Sequence, residues 1–164
     1  MSEPWLSGPL AGINAVLAPL FHSFEQVRHE LAAHTKGLTA EQLWSKPQGL
    51  TPAGFHIRHL GGAADRLSTY LAGGQLSEEQ MQAMQAESNP GASCEELLAE
   101  LDQALARCEA RVRAVDPSSI RDPREVGRKK LPTTVQGLLV HIAEHSQRHL
   151  GQAITTIKLI RTSG

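Results

Sequence analysis

The segment TVQGLLVHIAEHSQRHLGQAITTIKLIR, residues 134–161, decides the fold. Its apolar side chains recur every three or four positions, which is the period of one face of an α-helix. With Ile142 set to zero and 100° per residue, the members of this face lie within about 60° of it: Val135, Leu138, Leu139, Ala153, Ile157 and Ile160. We therefore predict one long amphipathic helix that begins at Thr133 or Thr134 and ends near Arg161.

Two histidines interrupt the apolar face of this helix. On the same scale His145 falls at about −60° and His149 at about −20°, so both point inward, whereas His141 falls on the margin. Burying an imidazole is costly unless its nitrogens have partners. Two histidines four residues apart on one face are placed to bind one metal ion, with a third ligand from another helix. Hydrogen bonds to carbonyl or carboxylate oxygens are the alternative, and we favour the metal.

The rest of the chain also has helical periodicity, and no alternating stretch indicates a β-hairpin. A first long helix is predicted from Gly8 to Thr35, with a kink or break at Pro19. Capping residues and breakers predict the later elements: a short helix from Thr39, a long one from Thr51 to Ala72, a short one from Ser77 to Glu87, a long one from Ser93 to Val115, and a loop over 117–132. Four long amphipathic helices indicate a four-helix bundle.

Length, charge and composition limit the class of protein. The 164 residues form a single predicted domain, residues 1–164, with 16 Lys and Arg against 17 Asp and Glu. This balance argues against a nucleic-acid partner, and the basic segment 121–130 is expected to be a solvated loop. No apolar run is long enough for a membrane span, and no signal peptide is recognised. Cys94 and Cys108 are too far apart on one helix for a disulfide, so a cytoplasmic protein is expected.

The third metal ligand is expected on the second long helix, which carries two histidines in FHIRHL, residues 55–60. With Leu60 set to zero, His56 falls at about −40° and His59 at about −100°. Periodicity therefore favours His56 slightly and leaves both residues open. The other histidines, His22, His29 and His34, have no metal-ligand spacing, and we expect exposed or capping roles for them.

The segment HIAEHSQRHLGQ, residues 141–152, resembles the last helix of the DinB-like superfamily, which includes thiol-dependent S-transferases. That helix typically carries a His-x-x-x-His pair that ends in His-x-Gly-Gln, and His59-Leu60 matches the family's ligand on the second helix. The resemblance implies an all-α four-helix bundle of up-down-down-up topology, with short extra helices in the connections. It also implies a divalent metal held by His59, His145 and His149, with His56 as the fallback.

The resemblance further implies nickel or zinc as the metal, with iron or manganese as alternatives. Such a metal would activate a thiol or water for S-transfer or hydrolysis on a small molecule, with a low-molecular-weight thiol as the expected partner. A metal-binding or stress-response module without turnover is the second hypothesis, and an interaction bundle without metal is the third. No nucleic acid or membrane is expected as a partner, and a homodimer is compatible with a bundle of this size.

Several polar side chains could support this chemistry. Glu144 and Gln152 flank the predicted ligands and could orient them, although a solvated carboxylate is the simpler interpretation of Glu144. The arginines that could grip a substrate carboxylate, if they are not in surface ion pairs, are Arg58, Arg66 and Arg148.

Overall fold

The computed structural model describes residues 3–162, and these confirm the prediction of a mostly helical protein. Within these described residues, six α-helices and one small antiparallel sheet follow one another. Their bounds are α1 Ala18–Thr35, α2 Ala40–Trp44, α3 Ala53–Leu71, α4 Glu78–Gln85, α5 Cys94–Arg113, β1 Pro123–Val126, β2 Leu131–Thr134 and α6 Val135–Thr162. No described helix combines the length and the apolar character that crossing a membrane would require.

Capping residues explain why three of the helices begin where they do. The N-cap hydroxyls of Thr39, Ser77 and Ser93 accept hydrogen bonds from the backbone N–H three residues later. The side chain at that third position, Gln or Glu, accepts a hydrogen bond from the N-cap backbone in return, which completes a capping box. The predicted starts of α2, α4 and α5 are confirmed. The cap predicted for Thr51 is wrong, because Pro52 is the N-cap of α3 and no side chain caps that helix.

The predicted first helix from Gly8 is wrong over its first ten residues, 8–17. α1 begins only at Ala18, after a 3₁₀ turn at Pro4–Ser7 and a series of turns. Gly12 has a φ of 71°, a left-handed conformation that ends any helical path there. Pro19 lies in the first turn of α1, where its missing N–H has no helical partner to lose, so it starts the helix and does not kink it.

The prediction of a loop over 117–132 is also wrong in part, because the segment contains a β-hairpin. β1 and β2 pair antiparallel with Val126 opposite Leu131, and the turn at 127–130 joins them. Arg124 Nε donates a hydrogen bond to the carbonyl of Leu71, which fastens the hairpin to the end of α3. The strands are four residues long, and prolines and charged residues fill half of their positions, so no hydrophobic alternation marked them in the sequence.

α3 is the central helix, because it packs most extensively against both α5 and α6, while α1 packs against α6 and α5. Leucines from α1, α3, α5 and α6, with aromatic rings from α1 and α3, form one buried core. A buried carboxylate, Asp65 on α3, also accepts hydrogen bonds from Arg111 Nη1 at 2.9 Å, Gln80 Nε2 at 2.8 Å and Arg107 Nε at 3.0 Å. Burial raises the pKa of Asp65, but these hydrogen bonds outweigh it and lower the pKa below its usual value.

Truncation of a core leucine tests this packing. Leu105 on α5 is fully buried, so Leu105→Ala is expected to lower the free energy of unfolding by about 2–5 kcal/mol. Leu131→Ala is the matched control, because that side chain is 59% exposed and its removal is expected to leave stability nearly unchanged. Urea denaturation followed by circular dichroism measures both. Equal effects of the two substitutions would contradict the core described here.

Candidate metal centre

Two helices bring four imidazoles together in the interior. α3 supplies His56 and His59, and α6 supplies His145 and His149 from the same face, four residues apart. The ring centroids lie 4.4 Å apart for His59 and His149, 4.5 Å for His145 and His149, and 5.1 Å for His59 and His145. The two α6 histidines therefore face α3, as their angular positions predict.

Three of these rings form a compact group of donor atoms. One ring nitrogen from each of His59, His145 and His149 lies within 4.8 Å of the others. Two nitrogens that bind one zinc ion at about 2.1 Å each lie at most about 4.2 Å apart, which is comparable with the spacing of this group. All three rings are partly buried, between the apolar core and the surface. The donor set and its spacing fit one divalent cation.

His56 and His59 occupy different places at this site. His56 is the more buried, at 6% exposure, as the helical periodicity predicts. Its Nδ1 lies 3.1 Å from Nδ1 of His149, within hydrogen-bond distance. His59, on the margin of the apolar face, is nevertheless the α3 member of the three-nitrogen group. Helical periodicity thus identifies His56, the more buried residue, and the family resemblance identifies His59, the member of the three-nitrogen group. That His59, His145 and His149 bind metal stays a prediction.

A buried carboxylate that was not predicted from the sequence, that of Glu87, contacts the ring of His59. Glu87 lies just after α4 and is only 5% exposed. Its Oε2 lies 2.6 Å from Nδ1 of His59, and its Oε1 accepts a hydrogen bond from Arg66 Nη1 at 2.5 Å. Arg66 is thus held in an ion pair and is not free to bind a substrate. No pattern singles out Glu87, because it is separated from His59 by 28 residues and belongs to no periodic face.

The site favours uncharged imidazoles. Burial, together with repulsion from His59 and other nearby charges, lowers the pKa of His145 to about 4 and that of His149 to about 3. Burial and the proximity of His59 also lower the pKa of His56. A neutral imidazole has a free lone pair, which ligation of a metal requires. At neutral pH the α6 pair is therefore ready to bind a cation without first losing protons.

The other polar side chains that the sequence suggested as supports for the metal chemistry lie around the site. Glu144 is exposed and pairs with Arg148 and His141 on the surface of α6, so the solvated interpretation of Glu144 agrees with its position. Arg58 pairs with Glu100 and lies over the ring of Trp44. A cavity of about 570 Å³ opens beside His56, and its polar lining comes mainly from α6: Gln147, Arg148, Gln152, Thr155 and Thr156.

The cysteines take no part in this centre. Both are free, and Cys108 is fully buried on α5. Burial raises the pKa of Cys108 to about 12, even though a hydrogen bond with Ser68 acts in the opposite direction. The thiolate is the reactive form of cysteine, so Cys108 is unsuited to act as a nucleophile at neutral pH.

Comparison with known proteins identifies the family. A family model described as the DinB superfamily matches residues 23–153, a range that contains α3, the imidazole group and most of α6. The chain belongs to the DinB superfamily. A comparison with curated proteins gives no match.

Titration of the metal-free protein tests the electrostatics of the site. We expect His145 and His149 to stay neutral well below pH 6.5 and to protonate only near pH 4 and pH 3. Because histidines in the unfolded chain protonate near pH 6.5, the unfolded state binds more protons below that pH, and the free energy of unfolding falls as the pH falls. NMR of ¹⁵N-labelled imidazoles follows each ring. Protonation of either α6 ring near pH 6.5 would contradict the buried arrangement.

Proposed function

We propose that this protein of the DinB superfamily binds one divalent metal ion through His59, His145 and His149, and that it is a metal-dependent enzyme acting on a small molecule. The observation that supports this most directly is the group of three ring nitrogens within 4.8 Å of one another, donated by two helices. The low pKa values of His145 and His149 support it independently, because protons compete poorly for these ligands.

The number and kind of donors favour a catalytic site over a structural one. Structural zinc sites are usually closed by four protein ligands, whereas catalytic ones use three and leave a position for water or substrate. When bound, a divalent cation held by three neutral imidazoles supplies Lewis acidity that favours the deprotonated form of a thiol or water at neutral pH. We therefore propose S-transfer or hydrolysis as the reaction class. Nickel and zinc suit an all-imidazole donor set, as do iron and, less well, manganese.

The neighbouring cavity gives a place for the organic substrate. Arg148 and Gln152 line it, so its wall offers hydrogen-bond donors for an anionic or amide-bearing molecule. Low-molecular-weight thiols such as glutathione carry carboxylates and amides, and Arg148 remains half exposed despite its contact with Glu144. We propose such a thiol as one substrate.

We also propose that the four long helices form a bundle of up-down-down-up topology in a single domain. α1 contacts α6 and α5, and α3 contacts the same two helices, so the four close a ring around the shared core. In this arrangement α3 and α6 are direct neighbours, as a metal site built from both of them requires.

Metal analysis tests the proposed ligands. Protein purified without a histidine tag is expected to carry about one equivalent of metal per chain, measured by mass spectrometry of the elements. His59→Ala, His145→Ala and His149→Ala each remove one of three donors and are expected to lose most of the metal. His29→Ala is the control, because His29 is exposed on α1 and is not a member of the three-nitrogen group. Full metal content in the three variants would contradict the site.

Turnover assays test the proposed reaction class. The metal-loaded protein is incubated with glutathione, bacillithiol or mycothiol and an electrophilic co-substrate, and loss of free thiol is followed. We expect turnover that a chelator abolishes and that His149→Ala lacks, because both remove the activating cation. Metal binding without turnover across the panel would instead support a metal-binding module without catalysis.

A further inference from the structure

A largely buried charged pair, Glu87 and Arg66, lies beside His59. Glu87 is 5% exposed and Arg66 is 8% exposed. Burying charged groups is costly, and it persists where hydrogen bonds satisfy them. The Glu87 carboxylate uses one oxygen for Arg66 and the other for Nδ1 of His59. The carboxylate therefore links a fixed positive charge to an imidazole of the candidate metal centre.

We propose that Glu87 is a positioning residue of the metal centre, acting through His59; this inference rests on the metal binding proposed above. A carboxylate paired with arginine only accepts hydrogen bonds, so Nδ1 of His59 carries the proton and Nε2 keeps its lone pair for the cation. The hydrogen bond fixes the orientation of the ring and makes it a stronger donor. Glu87 also brings a negative charge close to a site whose three ligands are neutral.

The backbone of α3 is shaped to admit this carboxylate. His59, Gly62 and Arg66 are spaced three and seven residues apart, so they share one face of the helix. A Cβ atom on Gly62 would lie 2.5 Å from Oε1 of Glu87 and 2.8 Å from Nη1 of Arg66. The absence of a side chain at Gly62 is what lets the ion pair lie against α3. We infer that Gly62 is needed for the position of Glu87, and through it for His59.

A purely structural role for Glu87, tying the end of α4 to α3, makes a different prediction. In that case its replacement would lower stability but would not change how tightly the folded protein binds metal. The two roles are separated by measuring metal affinity on folded protein, and not stability alone.

The first experiment measures the affinity of Glu87→Gln for Zn²⁺ by competition with a chromophoric chelator. We expect a fall of about 10- to 100-fold, because glutamine keeps the size of the side chain but not its charge. The d–d absorption spectrum of the Co²⁺-loaded variant is expected to shift as His59 changes its donor strength. Glu109→Gln is the matched control: Glu109 also pairs with an arginine, Arg28, and its replacement is expected to leave both readouts unchanged.

The second experiment moves the carboxylate without removing it. Gly62→Ala introduces a methyl group that the flexible ends of Glu87 and Arg66 can avoid only by shifting, so the helix is expected to fold and Zn²⁺ affinity to fall. Circular dichroism of the metal-free variants checks that the helices are intact.

The outcomes separate this inference from the function on which it rests. Wild-type affinity and spectrum in both Glu87→Gln and Gly62→Ala would overturn the role of Glu87 while leaving the metal site in place. An equal loss of affinity in Glu109→Gln would overturn it as well, because the effect would then be general. A wild-type protein that binds no Zn²⁺ or Co²⁺ would overturn the proposed function, and this inference with it.

Discussion

Four imidazole rings lie packed between α3 and α6, and partial burial together with their proximity disfavours the protonated forms of His56, His145 and His149. Each added proton would repel its neighbours across distances of about 5 Å in a partly dry environment. The low pKa values of His145 and His149 follow from this burial and repulsion. Ring nitrogens in a partly buried site need partners for their lone pairs. One cation bound between the rings would be a partner for several of these nitrogens at once.

The scaffold meets this constraint with rigid elements. α6 runs without interruption through both of its histidines, so their relative position is set by helix geometry alone. α3 is held from its other side by α5, through the core and through the buried Asp65. The connection between α4 and α5 then reaches back to α3 through Glu87. The imidazoles thus lie on two neighbouring helices whose positions are fixed by contacts on their far sides.

Much of the fold could be predicted from local signals. Capping boxes marked the starts of α2, α4 and α5 because they involve residues three apart, and the apolar stripe of α6 marked the longest helix. The first ten residues of the predicted first helix were wrong because glycine conformation overrides an apolar period, and the hairpin was missed because its short strands carry no alternation of apolar and polar side chains. At the site, helical periodicity identified His145 and His149 as inward-facing but ranked His56 above His59. Periodicity indicates how deeply a side chain is buried, and it does not indicate which ring nitrogens lie close together. Glu87 could not be predicted, because its contact with His59 depends on how α4 returns to α3.

The central claim is that imidazoles from α3 and α6 bind one cation together. X-ray absorption spectroscopy of the Zn²⁺-loaded protein measures the kind, number and distance of the ligands directly. The account predicts three imidazole nitrogens at about 2.0–2.1 Å, with the remaining coordination filled by a light atom that is not part of an imidazole. A zinc ion surrounded by fewer than three imidazoles, or by sulfur ligands, would contradict it.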